Sequence, residues 1–225
     1  MGLETSPYDH VVQHPRGDDV ARRKERSGRA GSGPVSVELI EQEAIRLFSE
    51  RTYPVVGMRD IGDAVGLLPG SLYVHITSKE ELLLRIVEQG IQSYLDVIEP
   101  VVASGADPST RMRGIVVAHM RVLAASVEQT RVAFHQWKYL GAEKHERIVE
   151  LRLRYEQAFA TVVADGIASG EFRAVRSSRV AVLATIGMLT AATEWYSPAG
   201  SLTPDEIGDA LADHALLGLE ESPQA

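Results

Sequence analysis

An all-α fold follows from three observations on the 225-residue chain. Apolar residues recur at helical spacing in every long segment after Pro34. No strand-type alternation runs beyond a few residues. Breaks rich in Gly, Pro and Ser cut the pattern into helix-length pieces.

The first 33 residues carry almost no apolar periodicity and are rich in Gly, Pro, Asp and Arg. They read as a disordered basic arm (1–33), with Arg16, Arg22, Arg23, Lys24, Arg26 and Arg29 set against Asp18, Asp19 and Glu25. Such an arm is either a solvated tail or a source of extra phosphate contacts. In "SVELIEQEAIRLFSER", Val37, Ile40, Ala44, Leu47 and Phe48 share one helix face, with Ser36 as N-cap. Pro54 ends this helix. A second helix runs from about Met58 to Val65, with Met58, Ile61 and Val65 inward and Gly66 as C-cap. Pro69 opens a third, about Pro69 to His75. Ser78 and Glu81 form a capping box for a long helix reaching roughly Ile98, which Pro100 stops. Further helices are expected over 109–127, 130–140, 144–169, 175–194 and 204–219, with breaks at "SGADPS", "GAE", "ASGEF" and "SPAGSLTP".

Composition narrows the function. The chain is 44% apolar, with a net charge of −8. A global acidic excess does not exclude nucleic acid, because the field at the contacting face decides. There is no cysteine, so disulfide and thiolate chemistry are absent and a reducing compartment fits. The seven histidines include no H-E-x-x-H arrangement, and neither a metal site nor a cofactor is expected. No basic segment leads into an apolar run at the N-terminus, and Val180–Ala192 is too short to cross a bilayer. A cytoplasmic protein without a membrane partner is the expectation.

Three helices in so little chain have a use. A helix of about seven residues is only ~10 Å long and cannot stand alone. Residues 34–79 therefore read as a three-helix helix-turn-helix domain that holds its last short helix at a fixed angle. A DNA major groove admits one such helix. Leu72 and Ile76 are expected inward, with Leu67 closing the turn. Pro69, Gly70, Ser71, Tyr73 and Val74 are expected outward. Gly70 permits close approach, Ser71 can donate to phosphate or a base edge, and Tyr73, His75 and Lys79 follow. Free helix N–H groups near Gly57 and Pro69 would add to the same site. The domain itself is weakly charged, with Arg46, Arg51, Arg59 and Lys79 against six acidic residues.

The stretch "AIRLFSERTYPVVGMRDIGDAVGLLPGSLYVHITSKEELL" resembles the N-terminal domain of the TetR family of transcriptional regulators. Ala44, Phe48, Arg59-Asp60-Ile61, Ala64, Gly66, Gly70-Ser71-Leu72-Tyr73, His75 and Lys79-Glu80-Glu81-Leu82 carry the likeness, over about 45 residues. The resemblance implies that Gly70–Tyr73 lies in the recognition helix. It also implies that Tyr73, His75 and Lys79 contact operator phosphates on double-stranded DNA. Thr52 replaces the family's usual Gly, Gly57 its Ser or Thr cap, and Ile76 its Phe. Thr52 is expected to need a different helix ending, since positive φ costs it more than Gly. The tail, with Trp195-Tyr196, Pro198, Gly200 and Leu202, resembles the subgroup that controls steroid and fatty-acid catabolism in actinobacteria. That resemblance implies an acyl-CoA-like effector.

Residues 80–220 are expected to bind ligand and form a homodimer. Helices 175–194 and 204–219 would pair across a two-fold axis through Leu183, Gly187, Ala191, Ile207, Leu211 and Ala215, which agrees with the family's dimerisation through its last two helices. An apolar or amphipathic effector would sit among Phe134, Trp137, Tyr155 and Phe159, with polar contacts from His119, His135 or Arg152. The whole reads as a ligand-responsive repressor. Two rivals remain: a helical interaction protein that lost DNA binding, and an enzyme acting on thioesters. No nucleophile, base and orienting group form a recognisable arrangement, so no catalytic residue is assigned.

Overall fold

The computed structural model describes residues 36–219. The basic arm at 1–33 and Pro34 lie outside the described residues. Within them the chain is all-α, with helices α1 (Val37–Arg51), α2 (Met58–Val65), α3 (Pro69–Leu72), α4 (Lys79–Val102), α5 (Pro108–Ala125), α6 (Val127–His135), α7 (Ala142–Ser169), α8 (Ser178–Ala191) and α9 (Pro204–Leu217). Single 3-10 turns follow α6 (Trp137–Tyr139) and α8 (Ala192–Glu194).

The caps explain most of the boundaries. Ser36 Oγ accepts from the Leu39 N–H at 3.3 Å and starts α1. Ser78 Oγ accepts from the Glu81 N–H at 3.0 Å and starts α4. The Glu81 carboxylate pairs with Lys144 at 3.2 Å rather than completing a capping box. Gly66 ends α2 in the left-handed region at φ 73°. Thr52 ends α1 at φ 69° and ψ 148°, the strained ending its sequence position implied.

Three departures from the expected boundaries have a local physical cause. The α-helix from Pro69 stops at Leu72, and Tyr73–His75 continue as turns closed by Val74 N–H to Ser71 O (3.2 Å) and His75 N–H to Leu72 O (2.9 Å). Aromatic and β-branched residues there hold helix poorly. Pro100 does not stop α4, which runs to Val102. The missing N–H falls in the last turn, and the Ala103 N–H still reaches the Glu99 carbonyl at 3.0 Å. The expected span 109–127 is cut at Ser126, whose Oγ accepts from the Gln129 N–H at 3.3 Å and starts α6.

Two apolar centres are continuous through α4. The N-terminal one joins Ile40, Phe48, Val56, Ile61, Leu72 and Ile76, all buried. The larger one gathers α4, α5, α6 and α7, with α9 lying along α5. At Gly208 a Cβ would lie 2.8 Å from the Val117 Cα, so α9 and α5 approach almost backbone to backbone. Arg113 also pairs with Asp209 and Asp213, and Arg121 with Asp205. These pairs are exposed, and such pairs contribute at most about 1 kcal/mol each. Apolar packing therefore holds α9 down.

Candidate nucleic-acid interface and ligand region

The N-terminal head is built by a close approach. A Cβ at Gly62 would lie 2.7 Å from the Leu67 carbonyl and 3.0 Å from Leu72 Cδ1. Only hydrogen fits there, so α2 can sit directly on the turn that launches α3. This glycine went unremarked in the sequence, because nothing local distinguishes it from an indifferent helix residue.

That packing buries Leu72 and Ile76 and turns the opposite side of α3 and its following turn outward. Gly70 and Ser71 are exposed, Tyr73 is 54% exposed and Val74 82%. His75 is half-buried. The helix starts at Pro69. Gly57 caps α2 without a side chain, and only half of a capping box exists: its N–H donates to Asp60 Oδ2 at 2.7 Å.

Lys79 is placed differently from its expected role. Its ammonium donates to the carbonyls of Tyr53 (2.8 Å) and Val56 (2.6 Å) and lies 4.1 Å from the centroid of the Tyr53 ring. Partial burial lowers its pKa, against the pull of Asp60. Two of its three N–H donors are thus used inside the head, leaving one for phosphate. Lys79 clamps the α1–α2 loop to the start of α4. Its neighbour Glu80 ties the same turn to α7, accepting from the Gly141 N–H at 2.7 Å and from Lys144 at 3.2 Å.

The body brings six of the seven ligand candidates, His119, Phe134, Trp137, Arg152, Tyr155 and Phe159, into one region. His119 is fully buried, and its Nδ1 lies 2.8 Å from the Tyr155 hydroxyl. Burial drives the His119 pKa down to about 3. The ring is therefore neutral near pH 7, and the Leu189 carbonyl on its far side favours the Nε2–H tautomer, in which the Tyr155 hydroxyl donates to Nδ1. Nε2 then carries the proton and faces the Leu189 carbonyl, without a hydrogen bond of ordinary geometry. Burial also pushes the Tyr155 hydroxyl well above its usual range. Phe134 and Phe159 lie 5.3 Å from the Tyr155 ring, edge to face. Tyr94, missed in the sequence, sits between His119 and Phe134 and shares a hydrogen bond with Thr130 at 2.7 Å. The rings pack against one another in the interior. Surface grooves run between α4 and α7 and among α4, α5 and α9, and neither is lined by the six candidates. Arg152 and Trp137 form the outer, half-buried edge of the aromatic cluster. His135 lies further off, beside Thr193.

The expected dimer residues divide. Leu183, Gly187 and Ala191 are exposed and line one face of α8 with Val180 and Ala184. A Cβ at Gly187 would meet nothing within 4 Å. Ile207 and Ala215 are buried inside the protomer, and Leu211 is half-buried. The face of α9 bearing Ile207 and Ala215 packs on α5 within the protomer. The outward apolar positions of α9 are Ala210 and Leu217, the latter 72% exposed.

Two family patterns match the chain. Residues 40–86 match the bacterial regulatory proteins of the tetR family. Residues 105–219, just over half the chain, match the tetracyclin repressor-like C-terminal domain. The chain belongs to the TetR family. It is similar to the HTH-type transcriptional repressor KstR2 of Rhodococcus jostii (strain RHA1), with 29% identity over 194 residues, covering 86% of this chain and 93% of the relative. The TetR family transcriptional regulator PfmR from Thermus thermophilus is 30% identical, with a TM-score of 0.72, over 81% of this chain and 99% of that one. The ketosteroid transcriptional regulator KstR2 of Mycobacterium tuberculosis shares the fold at a TM-score of 0.77, with 23% identity, over 86% of this chain and 100% of that one.

As a TetR-family member the chain is a DNA-binding regulator and not an enzyme. Among the described residues no helix is long and apolar enough to cross a membrane. Among them, too, no group of three or more His, Asp or Glu could hold a metal ion. The TetR-family position of Ile76 stays in the core, and the missing hydroxyl at Gly57 leaves the cap to Asp60.

Proposed function

We propose that this TetR-family protein is a homodimeric, ligand-responsive transcriptional repressor. Residues 34–79 form its DNA-reading head and 80–220 its effector and dimer body. The observation that carries the reading is the face of α3 and its following turn. Gly70, Ser71, Tyr73 and Val74 point to solvent while Leu72 and Ile76 anchor them from behind. A large apolar side chain left that bare on so small a domain fits a partner surface rather than a folding requirement.

Two such heads would enter successive major grooves about 34–36 Å apart. Ser71 and Tyr73 would reach phosphate or base edges, with Gly57, Pro69, His75 and the remaining Lys79 N–H at the margin. The bare α8 stripe of Leu183, Gly187 and Ala191 would meet its copy across the two-fold axis. An apolar or amphipathic effector, an acyl-CoA thioester in our reading, would separate the aromatic rings of the body and shift α4. Lys79 and Glu80 would pass that shift to the head and alter the spacing of the two recognition faces. The ligand must bind the two dimer states unequally for this to release DNA. The relatives include the fatty acid metabolism regulator protein of Bacillus subtilis, at 20% identity, a name consistent with an acyl effector.

Selection of genomic fragments by the purified protein, then anisotropy titration at rising salt, tests the reading. Specific binding that weakens steeply with salt supports it. Tyr73→Phe should weaken that binding about threefold to tenfold with helicity unchanged, the usual worth of one hydrogen bond. Unchanged affinity removes Tyr73 from the interface. Binding insensitive to salt would favour a protein partner instead.

A further inference from the structure

Arg152 has an unusual environment. Its guanidinium lies 4.6 Å from the centroid of the Trp137 ring and 5.7 Å from that of Phe134. Nη1 is buried and has no hydrogen-bond partner. Glu156, one helical turn on, attracts the charge through space without forming an ion pair, and burial lowers the Arg152 pKa. A buried guanidinium N–H left unpaired is costly, because removing the group from water is not repaid by a bond. The aromatic faces recover part of that cost. An acidic ligand would recover the rest.

The same short segment faces two ways. Phe134 and Trp137 touch Arg152, while Gln136 and Tyr139 touch the head. Gln136 is buried; its Nε2 donates to the Phe48 carbonyl and its Oε1 accepts from the Tyr53 N–H, both at 2.6 Å. Tyr139 stacks on Tyr53 at 6.0 Å. The end of α1 and the loop clamped by Lys79 are therefore held by residues beside the guanidinium's aromatic walls.

We propose that Arg152 takes the acidic group of the effector, a carboxylate or a phosphate, between Phe134 and Trp137, and that the 136–139 turn relays its arrival to the head through Gln136 and Tyr139. This rests on the ligand-responsive reading above and names the chemistry of that site. The acyl body of the ligand would enter behind the guanidinium, toward Tyr94, Tyr155 and Phe159.

A Trp195→Phe background leaves Trp137 as the sole tryptophan, so its fluorescence reports the site. Decanoate, decanoyl-CoA and methyl decanoate separate carboxylate, phosphate and neutral probes. At least one acidic probe should bind. Arg152→Met should weaken it about tenfold or more, as loss of a charge-assisted hydrogen bond would, and leave the ester within about twofold. Since the cation is unpaired in the free protein, the variant's Tm should not fall. A purely structural cation–π role would lower Tm and leave probe affinity intact, which overturns the proposal. So does an acidic probe bound equally by both proteins, or an ester bound by wild type as tightly as the acid. If no acidic probe binds, the Arg152 site is wrong; whether the ester releases the selected DNA fragment then judges the ligand-responsive reading separately.

For the relay, Gln136→Leu should keep probe affinity within about twofold but lose most probe-induced DNA release. Tyr139→Ala gives the same readout should the first variant bind DNA poorly on its own. Undiminished release in both overturns the relay.

Discussion

The head and the body display chemistry in opposite ways. In the head, the residues assigned to DNA come from one stretch, Gly57–Lys79, and Gly70, Ser71, Tyr73 and Val74 among them are bare to solvent. In the body, the residues assigned to ligand come from α5, α6, α7 and the turn after α6, and they converge inward on a filled core. A head of this kind works by presenting a rigid face. A body of this kind must part its rings to admit a ligand between them, since Tyr94, Phe134, Tyr155 and Phe159 pack edge to face on one another. Rigidity outside and give inside is what a ligand-driven switch requires.

The sharpest way to break the comparison is to spoil the head alone. Gly62→Val would drive a Cβ into the Leu67 carbonyl, which sits 2.7 Å away, and backbone cannot yield as a flexible side chain can. Overpacking of this kind costs about 1–3 kcal/mol or more, a large share of what so small a core supplies. DNA binding should fall at least a hundredfold, while near-UV CD of the body's aromatic cluster persists. Retained DNA affinity would show that the α2–α3 angle is not held by this contact.

Gly187→Leu tests the outward face of the body. Nothing in the protomer opposes the new side chain, so each subunit should fold with an unchanged far-UV spectrum. Close approach of two α8 helices would be blocked, and the sedimentation mass should shift from two chains toward one. An unchanged mass would move the dimer interface away from α8.

These residues also show what could be read without coordinates. The helical class, the head, its caps at Ser36, Gly66 and Ser78, and the outward Tyr73 and Val74 were legible because each depends on neighbours three or four residues away. Lys79 was legible as a residue at the entry to α4 but not as a clamp, since its carbonyl partners are on Tyr53 and Val56, more than twenty residues earlier. Gln136 was not legible at all. Its partners lie 83 and 88 residues away, and a buried amide looks like any other glutamine in a helical pattern. For Ile207 and Ala215 the sequence was silent on cover, because an apolar stripe does not say whether its own subunit or a second one packs on it; within the protomer α5 does so.

The interior gives a pH test of intermediate size. His119 is neutral when folded, with a pKa of about 3, below the ~6.5 of an unfolded histidine. The unfolded chain therefore binds the proton first as pH drops. Stability is complete above about pH 6.5 and falls toward pH 3, by up to about 1.4 kcal/mol per pH unit from this group. His119→Gln keeps an acceptor for Tyr155 but does not titrate. Urea midpoints at pH 7.5 and 5.0 should differ less in the variant than in the wild type. Equal differences would mean that the ring is not as dry as its burial indicates.

The smallest effect lies where head and body meet. Thr52 holds φ 69° and ψ 148°, a region nearly reserved for glycine, at a cost of about 1–3 kcal/mol. Its exposed side chain makes no hydrogen bond to any described residue that would compensate. Thr52→Gly removes the strain but adds about 0.5–1 kcal/mol of unfolded-chain entropy, so a net gain of about 1 kcal/mol is expected from these two terms. Thr52→Ala keeps the Cβ and should gain nothing, and differential scanning calorimetry of the pair separates the two explanations. The backbone here also carries the relay, because the Thr52 N–H and Gln136 Nε2 both donate to the Phe48 carbonyl, at 3.0 and 2.6 Å. If the strain tunes that junction, Thr52→Gly should stabilise the free protein while shrinking the effect of ligand on DNA affinity. A gain in Tm with an unaltered ligand response would make Thr52 a tolerated imperfection with no part in the relay.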